Sequence, residues 1–230
     1  MPPAEAIATP ATPQRARMNR IYRTQRHFYD LTRKYYLLGR DRLIAALDAG
    51  AGHQVLEIGC GTGRNLVAAA RRWQGAEFCG LDISSAMLDK ARSAVRRHGL
   101  DQRIRLIEAD ACDFSGHEAL SARRFDRIFF SYTLSMIPAW EYAIEEALGA
   151  LAPEGIVHIV DFGQQEHLPR WFQSALFRWL DRFHVRPRGD LRAVLEEAAA
   201  RHGGQLHFRP LYRGYAWSAT ITRGKTPPLK

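Results

Sequence analysis

The stretch that decides the reading is Val55-Leu56-Glu57-Ile58-Gly59-Cys60-Gly61-Thr62-Gly63-Arg64. Val55, Leu56 and Ile58 form a short apolar run that stops at a glycine, which reads as a buried parallel strand. Gly59, Gly61 and Gly63 then form a loop, and Asn65 to Arg72 has helix-forming composition. Glycine suits such a turn because it accepts positive φ and lets a ligand touch the backbone with no Cβ in the way. The spacing departs from the dinucleotide fingerprint Gly-x-Gly-x-x-Gly, which would need glycine at Arg64 or Leu66.

Outward from this loop, strand and helix patterns alternate. Strands are expected at Gln54–Ile58, Glu77–Leu81, Ile104–Glu108, Phe125–Phe130 and Gly155–Val160. Helices are expected at Asn65–Arg72, Ser85–His98 and Trp140–Leu151, then at Leu168–Phe183 and Asp190–His202. Gln205–Leu211 and Ala216–Thr222 alternate like a closing pair of strands. Such alternation implies an α/β, Rossmann-like, doubly wound sheet. Residues 1–17 carry Pro2, Pro3, Pro10 and Pro13 among Ala and Thr, and are expected to be a disordered tail. Residues 18–48 are helical in composition, with a break near Gly39, and residues 49–230 form the main domain.

Composition narrows the class. At 230 residues, 46% hydrophobic and 25% charged, the chain suits one domain with a substantial core. It has no run of about 18 apolar residues, so no transmembrane helix is expected, and its first residues do not read as a signal peptide. Cys60, Cys79 and Cys112 lack metal or redox spacing and are expected to be reduced thiols, and the histidines show no ligand pairing. The net charge of +9 is uneven: Arg15, Arg17, Arg20, Arg23, Arg26, Arg33, Lys34, Arg40 and Arg42 face only Asp30 and Asp41 in that region. Such a cluster suggests an anionic partner, either a membrane surface or nucleic acid.

Glu57-x-Gly59-x-Gly61-x-Gly63 closely resembles the glycine loop of class I S-adenosylmethionine-dependent methyltransferases. The resemblance implies a seven-stranded sheet of order 3-2-1-4-5-7-6 with the last strand antiparallel, preceded here by an N-terminal helical lid. In open α/β sheets ligands settle beyond the carboxyl ends of the strands. Asp82, ending the second strand, can accept both ribose hydroxyls, and Asp110 matches the acid that the family places near adenine. Gly59, Cys60, Gly61, Gly63, Glu57, Ile83, Met87, Ala111 and Ser131 complete the implied contacts to S-adenosylmethionine, which would leave as S-adenosylhomocysteine. In the superfamily an N-terminal helix often covers the cofactor, and Tyr22 and Arg26 are the candidates for that contact.

The cofactor brings the activated methyl group, so the protein mainly aligns the acceptor and excludes water. Ser131-Tyr132-Thr133-Leu134 follows the fourth strand, where the methyl-accepting site begins. Tyr132, Tyr29 and Tyr36 are the candidate catalytic residues, because tyrosine faces favour cations and their hydroxyls orient amines. Base-directed amino methyltransferases usually carry Asn/Asp-Pro-Pro-Tyr/Phe here, and Pro138 comes too late for it, which disfavours nucleic acid.

Leu168, Trp171, Phe172, Ala175, Leu176, Trp179, Leu180 and Phe183 make one apolar helical stripe opposed by Arg170, Gln173, Arg178 and Arg182. It reads either as a core-facing helix or as a membrane-interface or acyl-chain surface. The segment from Met18 to Ile44 is similar to the start of bacterial diacylglyceryl-homoserine N-methyltransferases of betaine lipid synthesis. That resemblance implies methylation of a lipid amine at an anionic membrane surface, by a cytoplasmic enzyme peripheral to the inner face. It also makes Arg26, Arg33 or Arg40 candidates for the homoserine carboxylate, and sets His158 and Asp161 near the substrate. A quinone or other small-molecule N- or O-methyltransferase is the alternative, and an RNA methyltransferase or RNA-binding module a further one.

Overall fold

The computed structural model describes residues 37–223. Seven strands form one sheet: β1 (Gln54–Ile58), β2 (Glu77–Asp82), β3 (Ile104–Glu108), β4 (Phe125–Ser131), β5 (Leu151–Phe162), β6 (Gly204–Leu211) and β7 (Ala216–Arg223). Their order is β3-β2-β1-β4-β5-β7-β6. β1 to β5 pair in parallel, and β7 runs antiparallel to both β5 and β6. This is the topology that the family resemblance implies, and the sheet reverses winding direction beside β1 and β4. No helix among the described residues is long and apolar enough to cross a membrane.

Helices cover both faces: α1 (Arg40–Ala46), α2 (Arg64–Arg72), α3 (Ser85–Arg97), α4 (Trp140–Gly149), α5 (Arg170–Asp181) and α6 (Leu191–Arg201). The two-residue period of each strand feeds two cores. Leu56, Ile58, Ile128 and Phe130 pack with Ile144, Leu148 and Leu195 of α4 and α6. Val55 and Phe129 pack instead with Leu43 and Ile44 of α1, Leu66 of α2 and Leu88 of α3. Glu57 and Ser131 occupy positions of this second parity, so the strands aim them toward α1 and α2.

Two expected boundaries move. Leu151, expected to end a helix, pairs with Phe125 and begins β5, because a ladder position against β4 outweighs helix propensity there. The stripe helix is shorter than expected, since Pro169 caps α5 and holds Leu168 outside it. Gly39, where a break was expected, directly precedes α1. Leu37, Leu43, Ile44 and Leu47 are buried in the second core, Trp73 Nε1 donates to Ile44 O at 2.9 Å, and Arg127 Nε donates to Leu47 O at 2.7 Å. Residues 37–48 are thus docked against the sheet. The rest of the expected lid, with Tyr22, Arg26, Tyr29, Arg33 and Tyr36, lies outside the described residues.

Candidate active site

β1 delivers the chain into a turn with no room for side chains. Gly59 has φ +72°, and a Cβ there would stand 2.2 Å from Thr133 Cγ2, so the exits of β1 and β4 press together. Gly59 N and Cys60 N both donate to Leu81 O at 2.9 Å. Gly61 N donates to Asp82 Oδ2 at 2.8 Å, and Ser84 N donates to Asp82 Oδ1 at 2.9 Å. Asp82 therefore clasps the glycine loop while it lines the crevice, a structural duty beyond the ribose contact expected of it. Gly63 does not line the crevice; it caps α2 and approaches Ala91 of α3.

Beyond these strand ends lies a crevice of about 650 Å³, open solvent at its mouth included. Gly59, Gly61 and Asp82 form one part of its wall. Ile83, Met87 and Ala111 supply an apolar slot with the Asp110 carboxylate beside it, and Asp110 Oδ1 accepts from Cys112 N at 2.9 Å. Tyr132, Thr133, Met136, Ile137 and Pro138 form the remaining edge. Tyr132 and Thr133 of this edge belong to the segment quoted after strand four, whereas Met136, Ile137 and Pro138 were not among the expected contacts.

A second, more polar pocket adjoins the loop at Gly59 and Cys60. Arg40, Glu57, Asn65 and Ser131 line it, with Glu57 1% and Arg40 8% exposed. Asn65 Nδ2 donates to Glu57 Oε1 at 2.7 Å. Ser131 Oγ and Asn65 Oδ1 are buried and have no hydrogen-bond partner among the described residues. Burial first, then the Asp82 and Glu57 carboxylates, push the Cys60 thiol well up, so it stays protonated and is no nucleophile. Arg40, expected on a basic surface, is buried in this pocket, whereas Arg42 is exposed over the Tyr212 ring.

Tyr132 lines the crevice, but its hydroxyl turns away and donates to Leu38 O at 2.5 Å. Its ring stands edge-on to Phe162, with centroids 4.6 Å apart, and burial holds the phenol protonated far above its usual range. Its geometry is that of a residue that positions the segment before α1 rather than one that presents a hydroxyl to an acceptor. Asp161 accepts from Phe162 N at 2.8 Å and Ser135 N at 3.2 Å, and burial raises its carboxyl. His158 is buried in β5 opposite Phe129 and Thr220. Neither lines the crevice or the polar pocket.

The stripe helix resolves into something between the two readings. In α5 only Leu180 is buried; Trp171 is 72% exposed, and Phe172, Leu176 and Trp179 are half-buried against the second core. Rings run from Trp171 through Phe172, Tyr215 and Phe162 to Tyr132, with successive centroids 5.9, 6.4, 6.1 and 4.6 Å apart.

These residues fit a nucleoside that carries an amino acid: an apolar slot with Asp110 for a base, Asp82 for a sugar, and a buried polar pocket for charged groups. Residues 55–155 match the family described as "Methyltransferase domain". Methyltransferase GfsG of Streptomyces halstedii is 34% identical over 121 residues, 53% of this chain and 42% of that protein. The ubiquinone/menaquinone biosynthesis C-methyltransferase UbiE of Allorhizobium ampelinum is 30% identical over 153 residues, 63% of this chain and 56% of that protein. This chain thus spans about half the length of these relatives. A solved geranyl diphosphate C-methyltransferase from Streptomyces coelicolor A3(2), in complex with S-adenosyl-L-homocysteine, superposes with a TM-score of 0.61 at 14% identity. That likeness, over 81% of this chain and 78% of the other, is one of fold.

Proposed function

We propose, on the premise that residues 55–155 make this chain an S-adenosylmethionine-dependent methyltransferase, that its acceptor is the amine of diacylglyceryl-homoserine and its product a betaine lipid. Asp82 would hold the cofactor's ribose, Asp110 its adenine amine, and Ile83, Met87 and Ala111 the faces of the base. When bound, the cofactor supplies a methyl group on a positively charged sulfur. The acceptor nitrogen would contribute its own lone pair to the new N–C bond while the C–S electron pair stays with sulfur, and a proton would leave to water in each transfer for which the methylated nitrogen still carries one. The chain's task is then to align and to exclude water, which the close-packed edge from Tyr132 to Pro138 suits.

The observation that supports a lipid acceptor is the aromatic run from exposed Trp171 to Tyr132 at the crevice. Trp171 stands on α5, which also exposes Arg170 and Arg178, with Arg182 exposed at its C-cap, the composition of a segment that lies at an anionic interface. A quinone acceptor is the second reading, favoured by the likeness to UbiE over 63% of this chain.

Full-length protein with methyl-labelled cofactor should be given vesicles of phosphatidylglycerol that hold either diacylglyceryl-homoserine or a demethylated quinone. Lipid mass spectrometry should find methyl groups on the homoserine nitrogen. Label on the quinone ring alone would replace the lipid-amine reading with the second one.

A further inference from the structure

We infer that Arg188 is a positioning residue for the acceptor side of the crevice: from the segment after α5 it grips the turn after β4 and so sets where Met136, Ile137 and Pro138 stand. The inference rests on the proposed methyl transfer only in calling this side the acceptor's. The cofactor's base and sugar are assigned to Ile83, Met87, Asp110 and Asp82, which leaves the edge after β4 as the wall that meets the acceptor.

That edge leaves the sheet at Ser131, where β4 ends, and runs through turns to α4. Within it, Met136 N and Ile137 N both donate to Thr133 O, at 2.9 and 3.2 Å. The carbonyls of such a turn have no ladder to supply their donors and must find them elsewhere. Three of them find donors in one short segment. Arg188 Nε donates to Leu134 O at 3.1 Å, Arg188 Nη2 donates to Ile137 O at 2.5 Å, and Arg186 N donates to Ser135 O at 2.8 Å. One guanidinium thus spans the turn from Leu134 to Ile137. Both of its hydrogen bonds go to main-chain carbonyls, so what they fix is the course of the backbone.

The arginine is itself well held. Val185 N donates to Leu180 O at 3.1 Å, which ties its segment to the end of α5, and Leu191 N donates to Arg188 O at 3.3 Å where α6 begins. The guanidinium lies over the buried Trp140 ring, 5.8 Å from the centroid. What it grips is only partly core. Leu134 and Ser135 are buried, but Met136 and Ile137 are half-buried, Pro138 is exposed, and these last three line the crevice. Arginine suits this span because its planar fork reaches two acceptors at once, whereas lysine offers a single point charge.

Steady-state kinetics on the full chain, with diacylglyceryl-homoserine or the demethylated quinone in phosphatidylglycerol vesicles, test this. Arg188→Gln is expected to lower kcat/KM for whichever acceptor the wild type methylates by about tenfold or more, the scale of one charge-assisted hydrogen bond. Calorimetry should find its S-adenosylhomocysteine affinity unchanged. Arg188→Lys should recover only part of the loss, and it is read against the same outcomes should Arg188→Gln not fold. Met136→Ala removes a side chain of the same edge and leaves the clasp in place. Because Arg188 acts through that edge, the double variant should lose less than the product of the two single losses. Amide exchange needs no turnover: Arg188→Gln should speed it over residues 133–138 and leave it unchanged over 59–63. Equal losses of acceptor kcat/KM and S-adenosylhomocysteine affinity overturn the inference, as does a lower thermal stability with kcat/KM and exchange over 133–138 unchanged. A wild-type chain that methylates neither acceptor refutes the proposed function instead, and the exchange result then decides alone whether Arg188 holds this edge.

Discussion

The Tyr132 hydroxyl and the Leu38 carbonyl meet at 2.5 Å, joining the exit of β4 to the segment that leads into α1. Tyr132 makes this bond from a backbone with φ +56°, a conformation uncommon for a side chain of its size. Strain of this kind persists where the surrounding structure requires it. Tyr132→Phe should lower stability by about 1 kcal/mol and weaken S-adenosylhomocysteine, because the wall that carries Arg40 loosens. Thermal unfolding and calorimetry would read both effects. A raised acceptor KM with unchanged cofactor affinity would instead return the hydroxyl to the acceptor site.

Gly59→Ala should unfold or badly destabilise the protein. The left-handed backbone costs a non-glycine residue about 1–2 kcal/mol, and the new Cβ meets Thr133 Cγ2 at 2.2 Å. Adding Thr133→Ala removes that methyl and should restore part of the loss, leaving the backbone cost behind. Denaturant unfolding of the single and double variants measures the difference; a double variant no more stable than the single would refute the contact.

Asp82→Ala should lose stability as well as cofactor affinity. Its carboxylate accepts from Gly61 N and Ser84 N, and both amides lose a charged partner in the variant. Losing such bonds costs about 1–3 kcal/mol apiece where no water replaces them. Calorimetry with S-adenosylhomocysteine, together with thermal unfolding, would read both losses. Intact stability with affinity lost would mean the glycine loop holds its shape without this clasp.

His158 should make stability depend on pH. Burial, helped by Arg127, lowers its pKa from 6.5 to about 4, so the folded state keeps it neutral. The unfolded chain takes up a proton first as pH falls. The stabilising contribution is therefore complete above about 6.5 and drains away toward about 4, at no more than about 1.4 kcal/mol per pH unit. Asp161, whose carboxyl burial raises, works in the opposite sense above the usual carboxylate range. His158→Gln should flatten the slope between these limits while the Asp161 contribution stays. An unchanged slope would assign it to other groups.

The sheet and the crevice floor were legible in sequence because they depend on local rules. Val55, Leu56 and Ile58 announced a strand by apolarity, and the glycines after them announced a turn that a ligand could approach. Glu57, Asp82 and Asp110 could be placed at strand ends once the strands were placed. Arg40 could not, because nothing local marks a buried arginine; only the docking of α1 against β5 and α2 turns it inward. Tyr132 was expected at the end of strand four and lines the crevice, but the partner of its hydroxyl lies 94 residues earlier in the chain, which no local pattern marks. The α5 stripe gave the right period but not its degree of cover, which depends on what packs over it.

A structure of the protein with S-adenosylhomocysteine tests the central claim most directly. The account predicts the ribose against Asp82, the base in the slot by Ile83, Met87 and Asp110, and the amino acid end at the polar pocket beside the glycine loop. A nucleoside bound elsewhere, or a crevice that closes over the glycine loop and admits none, would contradict it.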